Sequence, residues 1–102
     1  MTNPQMRGVA ELDRVFGALA HQTRRAILSV LHANDGVMTS GAIAARFSCS
    51  WPTTSRHLRV LEEAGLVQTV LRGRERLYQL QDKRLRALTT GWINRFDTQD
   101  GT

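Results

Sequence analysis

The sequence predicts a mainly α fold with one small β-hairpin. Three observations carry that prediction. Apolar residues recur at helical spacing through most of the chain. The period shortens only between residues 66 and 80, and glycines or capping residues stand at the changes.

Val9, Leu12, Phe16 and Leu19 recur at steps of three and four and form one stripe on a first helix. Ile27, Leu28 and Leu31 mark a second, closed by Asn34-Asp35-Gly36. Thr39 can cap a third helix, with Ile43, Ala44 and Phe47 inward. Ser48-Cys49-Ser50 is a short polar turn. Ser50 can cap a fourth helix, and Pro52 suits its first turn, where no backbone N–H is required. Trp51, Thr54, Leu58 and Leu61 are expected to point that helix at the core, and Gly65 to end it. Residues 66–71 are rich in β-branched and apolar residues, and 77–80 resume the apolar pattern. Gly73, first in a two-residue turn, suits a type II′ hairpin. Asp82 can cap a last helix carrying Leu85, Leu88, Trp92 and Phe96 on one face. The expected order is α-α-α-α-β-β-α. A short turn joining the third and fourth helices, with a hairpin directly after, is a winged helix-turn-helix.

A chain of 102 residues is one domain. Residues 1–8 and 98–102 are expected to be flexible, and 9–97 to form the folded unit. No apolar run approaches the roughly 18 residues of a membrane helix. The first ten residues carry no apolar leader segment, so a cytoplasmic protein is expected. One cysteine, Cys49, excludes an intramolecular disulfide. His21, His32, His57 and Cys49 are too scattered for a metal site, no carboxylate or Cys–His constellation suggests catalysis, and no cofactor is expected. No glycine loop suited to cradling phosphates is present.

Charge is the positive clue. Fourteen basic residues face nine acidic ones, for a net +5. Residues 46–86 hold nine of the bases and four of the acids, which accounts for the whole excess. A localised basic surface points to a polyanion, most often nucleic acid. On the fourth helix, residues 50–64, helical spacing puts Pro52, Arg56, Arg59 and Glu63 outward, flanked by Thr53, Ser55 and His57. A helix in a major groove needs short polar side chains near its N-terminus and one long donor for base edges. Thr53, Ser55 and Arg56 supply both. Arg72, Arg74 and Arg76 surround the hairpin tip, opposed only by Glu75, and a phosphate row or minor groove would relieve their repulsion. Arginines on such a hairpin can also serve simply to block edge-to-edge pairing.

The terminal helices read differently. Leu12, Phe16 and Leu19 on the first and Leu85, Leu88, Trp92 and Phe96 on the last exceed what a small core covers. A two-fold dimer would bury them and repeat the basic helix at about 34–36 Å. Cys49 stands just before a helix N-terminus, and an inert thiol is the expectation there, a redox sensor the alternative.

Ala18-Leu19-Ala20 with Thr23-Arg24-Arg25-Ala26-Ile27-Leu28 resembles the opening motif of the ArsR family of bacterial winged helix-turn-helix repressors. Thr54-Ser55-Arg56-His57-Leu58-Arg59-Val60-Leu61-Glu62-Glu63-Ala64-Gly65-Leu66-Val67 resembles its recognition helix and following turn. Gly73, Arg74 and Tyr78-Gln79-Leu80 resemble its wing. The likeness runs from about Leu12 to Leu80. It implies a homodimeric repressor on an imperfect palindrome, dimerised through its first and last helices. It also implies that Ser55, Arg56 and His57 read DNA and that Arg74 touches it. Two departures stand out. The third helix, Ser40-Gly41-Ala42-Ile43-Ala44-Ala45-Arg46, has no Cys-x-Cys, and residues 83–96 contain no histidine or acid, so neither metal site common in the family is expected. His21-Gln22 replaces the Asp-Pro common at the start of the second helix.

The sequence therefore predicts a DNA-binding transcriptional regulator that represses from a palindromic operator as a homodimer. Thr53, Ser55, Arg56, His57, Arg59, Arg72, Arg74 and Arg76 are the expected DNA contacts. Double-stranded DNA and a second copy are the expected partners. No membrane partner is expected, and any small-molecule or redox inducer is left open. The alternative is a winged-helix docking module that uses the terminal apolar helices and binds no DNA.

Overall fold

The structure, a computed structural model, describes residues 4–97. Five α-helices and a three-stranded antiparallel sheet follow in the order α1 (Pro4–Leu19), α2 (Gln22–Ala33), β1 (Val37–Thr39), α3 (Ser40–Ala44), α4 (Trp51–Glu63), β2 (Val67–Arg72), β3 (Glu75–Leu80), α5 (Asp82–Ile93). A 3-10 turn, Asn94–Phe96, closes the described chain. Residues 98–102, expected as a flexible tail, lie outside the described residues, as do 1–3. Residues 4–8, expected within a flexible N-terminus, are helical. Proline at the first helical position gives up no hydrogen bond, and the helix begins five residues ahead of Val9, the first residue of the expected stripe.

Val15 and Ala18 of α1 meet Ile27, Leu28 and Leu31 of α2, Ile43 of α3 and Leu58 and Leu61 of α4. Met38, Leu66, Val67 and Tyr78 close this core from the sheet side. Of the expected stripe on α1, Leu19 packs against this core, while the fully buried residues of the helix, Val15 and Ala18, lie outside that stripe. Helical spacing puts Leu12, Phe16 and Leu19 on a second face of α1, and all three are half-buried. Phe16 there meets Trp92 of α5, with ring centroids 5.3 Å apart. Two neighbouring faces of one helix serve two partners, and apolar spacing displays only the bulkier face.

The sheet order is β1-β3-β2, with β3 in the middle. β1 was not expected. Its three residues are too few to display an alternating period, and they pair only because β3 lies opposite, Met38 facing Tyr78. β2 and β3 form the expected hairpin, with Arg72 across from Glu75 and Gly73-Arg74 as the loop. Gly73 takes φ 62° and is followed by a residue at negative φ, the II′ arrangement.

The caps explain where the helices start. Ser50 accepts the Thr53 N–H at 3.4 Å and Thr39 accepts that of Ala42 at 3.1 Å. At α2, where the resemblance leads one to expect an aspartate, His21 is the cap. Its Nδ1 accepts the Thr23 N–H at 3.2 Å. Asp82 is not the cap of α5. The Leu85 N–H bonds the carbonyl of Gln81, which places Asp82 inside the first turn. An acid there is favoured by the helix dipole. Phe47 lies beyond the five residues of α3 but still packs on the core.

Candidate nucleic-acid interface

α4 presents four sides. Thr54, Leu58 and Leu61 are buried, and the Thr54 hydroxyl is satisfied by donating to the Ser50 carbonyl at 3.0 Å. Cys49 is half-buried, its Sγ 3.3 Å from the same hydroxyl. Arg56 and Arg59 stand exposed on the opposite side, as expected. Thr53 and Ser55 are half-buried beside them, and Ser50 donates to the Thr53 hydroxyl at 3.1 Å. Trp51 departs from expectation. It is 46% exposed rather than inward. Side chains tilt toward a helix N-terminus, so a residue in the first turn projects past the end of the core.

His57 does not stand free on the outer face. Its Nδ1 lies 3.3 Å from Nη1 of Arg24 on α2. Guanidinium has no acceptor, so Nδ1 offers its lone pair and the ring is the neutral Nε2–H tautomer. The His21 ring sits 4.5 Å from the His57 ring, tilted by 52°. Burial first, then the electrostatic influence of neighbouring His21 and the positive charges of Arg24 and Arg56, hold His57 below the ordinary imidazole range.

Arg24 is the hub of this contact. Its Nε donates to the Ala18 carbonyl at 2.8 Å and Nη2 to that of Gly17 at 3.2 Å. Arg25 donates to the Leu19 carbonyl at 2.7 Å. The two arginines of the Thr23-Arg24-Arg25 run thus satisfy the C-terminal carbonyls of α1, where the helix dipole favours cations. Sequence reasoning missed this positioning role. The readable signal was a pair of arginines a few residues past a helix end.

The wing divides its arginines. Strand alternation puts Arg76 on the face of Leu71, Thr69 and Tyr78, toward the core, and Arg72 on the other face, directly across from Glu75. Arg74 occupies the turn. All three are exposed. The wing is tied to α4 by Thr69, whose hydroxyl donates to Glu62 at 2.8 Å. Arg84, in the basic segment by sequence, belongs to the scaffold. It donates to the Ala64 carbonyl and pairs with Glu11, both at 3.3 Å.

Helix-turn-helix, wing and basic outer face now stand together. A helix-turn-helix domain model matches residues 19–70. The HTH-type transcriptional regulator Rv2034 of Mycobacterium tuberculosis is 41% identical over 87 residues, covering 85% of this chain and 78% of that protein. The transcriptional repressor SdpR of Bacillus subtilis is 38% identical over 69 residues, covering 68% and 74%. An ArsR-like transcriptional regulator from Rhodococcus sp. RHA1 matches in structure with a TM-score of 0.71 at 30% identity, over 87% of this chain and 89% of that one. The chain belongs to the ArsR family of winged helix-turn-helix transcriptional regulators. A homodimeric winged helix-turn-helix DNA-binding domain from Mycobacterium bovis shares the fold, with a TM-score of 0.74 at 24% identity over 91% of this chain and 85% of that one.

As an ArsR-family member the chain is a DNA-binding regulator and not an enzyme, which sets the docking-module alternative aside. Among the described residues, no three His, Cys, Asp or Glu side chains come together as metal ligands. No described helix is long and apolar enough to cross a membrane. Away from the basic outer face of α4, α5 contributes no buried residue to the core. Trp92 is edge-on to Phe16 and, at 5.0 Å, to Phe96. Val9, Ile93 and Phe96 remain 48%, 55% and 66% exposed. An open groove between α1 and α5 is lined by Val9, Leu12, Asp13, Leu88, Trp92 and Arg95.

Proposed function

We propose that this regulator represses transcription as a homodimer bound to a palindromic operator, in the cytoplasm. α4 enters the major groove, and the hairpin tip, residues 72–76, lies on the backbone or minor groove. Residues 9–97 act as one DNA-binding and dimerisation domain. The observation that carries this reading is the outward, exposed pair Arg56 and Arg59 on a helix bolted to an arginine-tipped wing. Arg56 can fork onto guanine O6 and N7, with Thr53 and Ser55 on base or phosphate. Arg59, Arg72, Arg74 and Arg76 supply phosphate attraction, the larger share of affinity. His57 enters through the orientation of α4 rather than as a free donor.

The exposed apolar residues of α1 and α5 support the dimer. Isolated exposed apolar side chains are ordinary, but Val9, Ile93 and Phe96 adjoin half-buried Leu12, Phe16, Leu19, Leu85, Leu88 and Trp92. A two-fold interface there repeats α4 at one helical turn of DNA, about 34–36 Å.

The test is titration of labelled duplexes, drawn from a random pool by selection, at low and high salt. Sedimentation runs alongside. Tight, salt-sensitive binding of a palindrome by a dimer is expected, as is a monomer from Trp92→Glu. A protein indifferent to duplexes in dilute buffer, or monomeric throughout, overturns the reading.

A further inference from the structure

We infer that Trp51 is a backbone-clamping residue, its indole packed on deoxyribose and its Nε1–H donated to a phosphate at the wall of the major groove. The inference rests on the proposed placement of α4 and adds a contact that no arginine supplies.

The position of the side chain carries it. At about 100° per residue, Trp51 lies about 110° around α4 from the centre of the Arg56 and Arg59 face. It shares a flank with Ser55 and Glu62. Toward the C-terminus the wing reaches this flank through the Thr69–Glu62 hydrogen bond, and Glu62 stays exposed. At the N-terminal end the indole is left open at 46% exposure. No described residue accepts its N–H or stacks a ring on it. A helix with side chains is roughly 10–12 Å across and the major groove is about 12 Å wide. The outer face therefore meets base edges while the flanks meet the two sugar–phosphate walls. A side chain on a flank, tilted toward the helix N-terminus, is aimed at such a wall. Indole suits that place, because its body is apolar and its one polar group is a donor only. Contacts of this kind set register and orientation and carry no sequence information.

The experiment uses the full chain and two duplexes, one selected from a random pool and one scrambled. Trp92→Phe leaves Trp51 as the sole tryptophan, and Trp51→Phe is the matching control that reports Trp92. At saturating duplex, Trp51 emission is expected to change and its quenching by acrylamide to fall severalfold, while Trp92 is unaffected. Trp51→Ala, with unchanged circular dichroism, is expected to weaken both duplexes about tenfold and equally. Trp51→Phe keeps the ring and should lose less. Unaltered Trp51 emission and quenching at saturation overturn the inference. So does a Trp51→Ala loss confined to the selected duplex, which would place the indole on base edges. If the unmodified protein binds neither duplex in dilute buffer, the DNA placement of α4 fails first, and this contact with it.

Discussion

Arg24 and His57 lie 33 residues apart in the chain and 3.3 Å apart in the fold, guanidinium Nη1 against imidazole Nδ1. The contact joins the end of α1, the start of α2 and the outer helix α4 through one side chain. The position of α4, the helix proposed to enter the major groove, thus depends on a residue remote from its outer face.

Arg24→Met should remove three hydrogen bonds at once, to Ala18, Gly17 and His57. A loss of about 1–2 kcal/mol is expected, at roughly 4–8 °C of Tm per kcal/mol. Thermal unfolding followed by circular dichroism measures it. The His57 titration, read by NMR, should move up toward the ordinary imidazole value, since one positive neighbour is gone. An unmoved titration would detach Arg24 from His57.

The depressed His57 value also makes stability depend on pH. The folded state holds His57 neutral, so the unfolded chain takes up its proton first as pH falls. This contribution is whole above about pH 6.5 and is lost as the pH drops through the folded value. His57→Gln should flatten that part of the curve. Urea unfolding between about pH 5 and 8 is the measurement, and a slope identical to wild type would contradict the assignment.

Gly65 closes α4 at φ 77°, with Arg84 packed against it. A side chain in that left-handed conformation costs roughly 1–2 kcal/mol. A Cβ there would also displace Arg84 from the Ala64 carbonyl and Glu11. Gly65→Ala should therefore lower the urea midpoint, and adding Arg84→Ala should relieve the steric part alone. Full recovery in the double variant would remove backbone strain from the account.

Arg56→Ala should weaken operator binding by about 1–3 kcal/mol and relax discrimination at one base pair per half-site. Repeating the duplex selection with the variant tests this. An unchanged preference would take Arg56 off the base edges.

Arg74→Ala should reduce the slope of log affinity against log salt by about one per wing, with sequence preference intact. Arg72→Ala should change it less, because Arg72 already stands across from Glu75. Equal slopes for wild type and Arg74→Ala would take the wing tip off the DNA.

What the sequence determined by itself is the local part of this protein. Helix periods, the Ser50 and Thr39 caps, the Gly73 turn and the outward arginines of α4 depend on neighbours a few residues away. So do the motifs that mark the family, and all were readable in order. Tertiary structure decided the rest. β1 exists because β3 pairs with it, and Val15 and Ala18 are core because α2 and α4 close on them. Trp51 is exposed because the core reaches α4 only from Thr54 onward, and His57 is half-buried because Arg24 stands against it. The physical reason is common to all four. Each depends on atoms brought close by chain reversal, and spacing along one helix or strand carries no record of what packs against it.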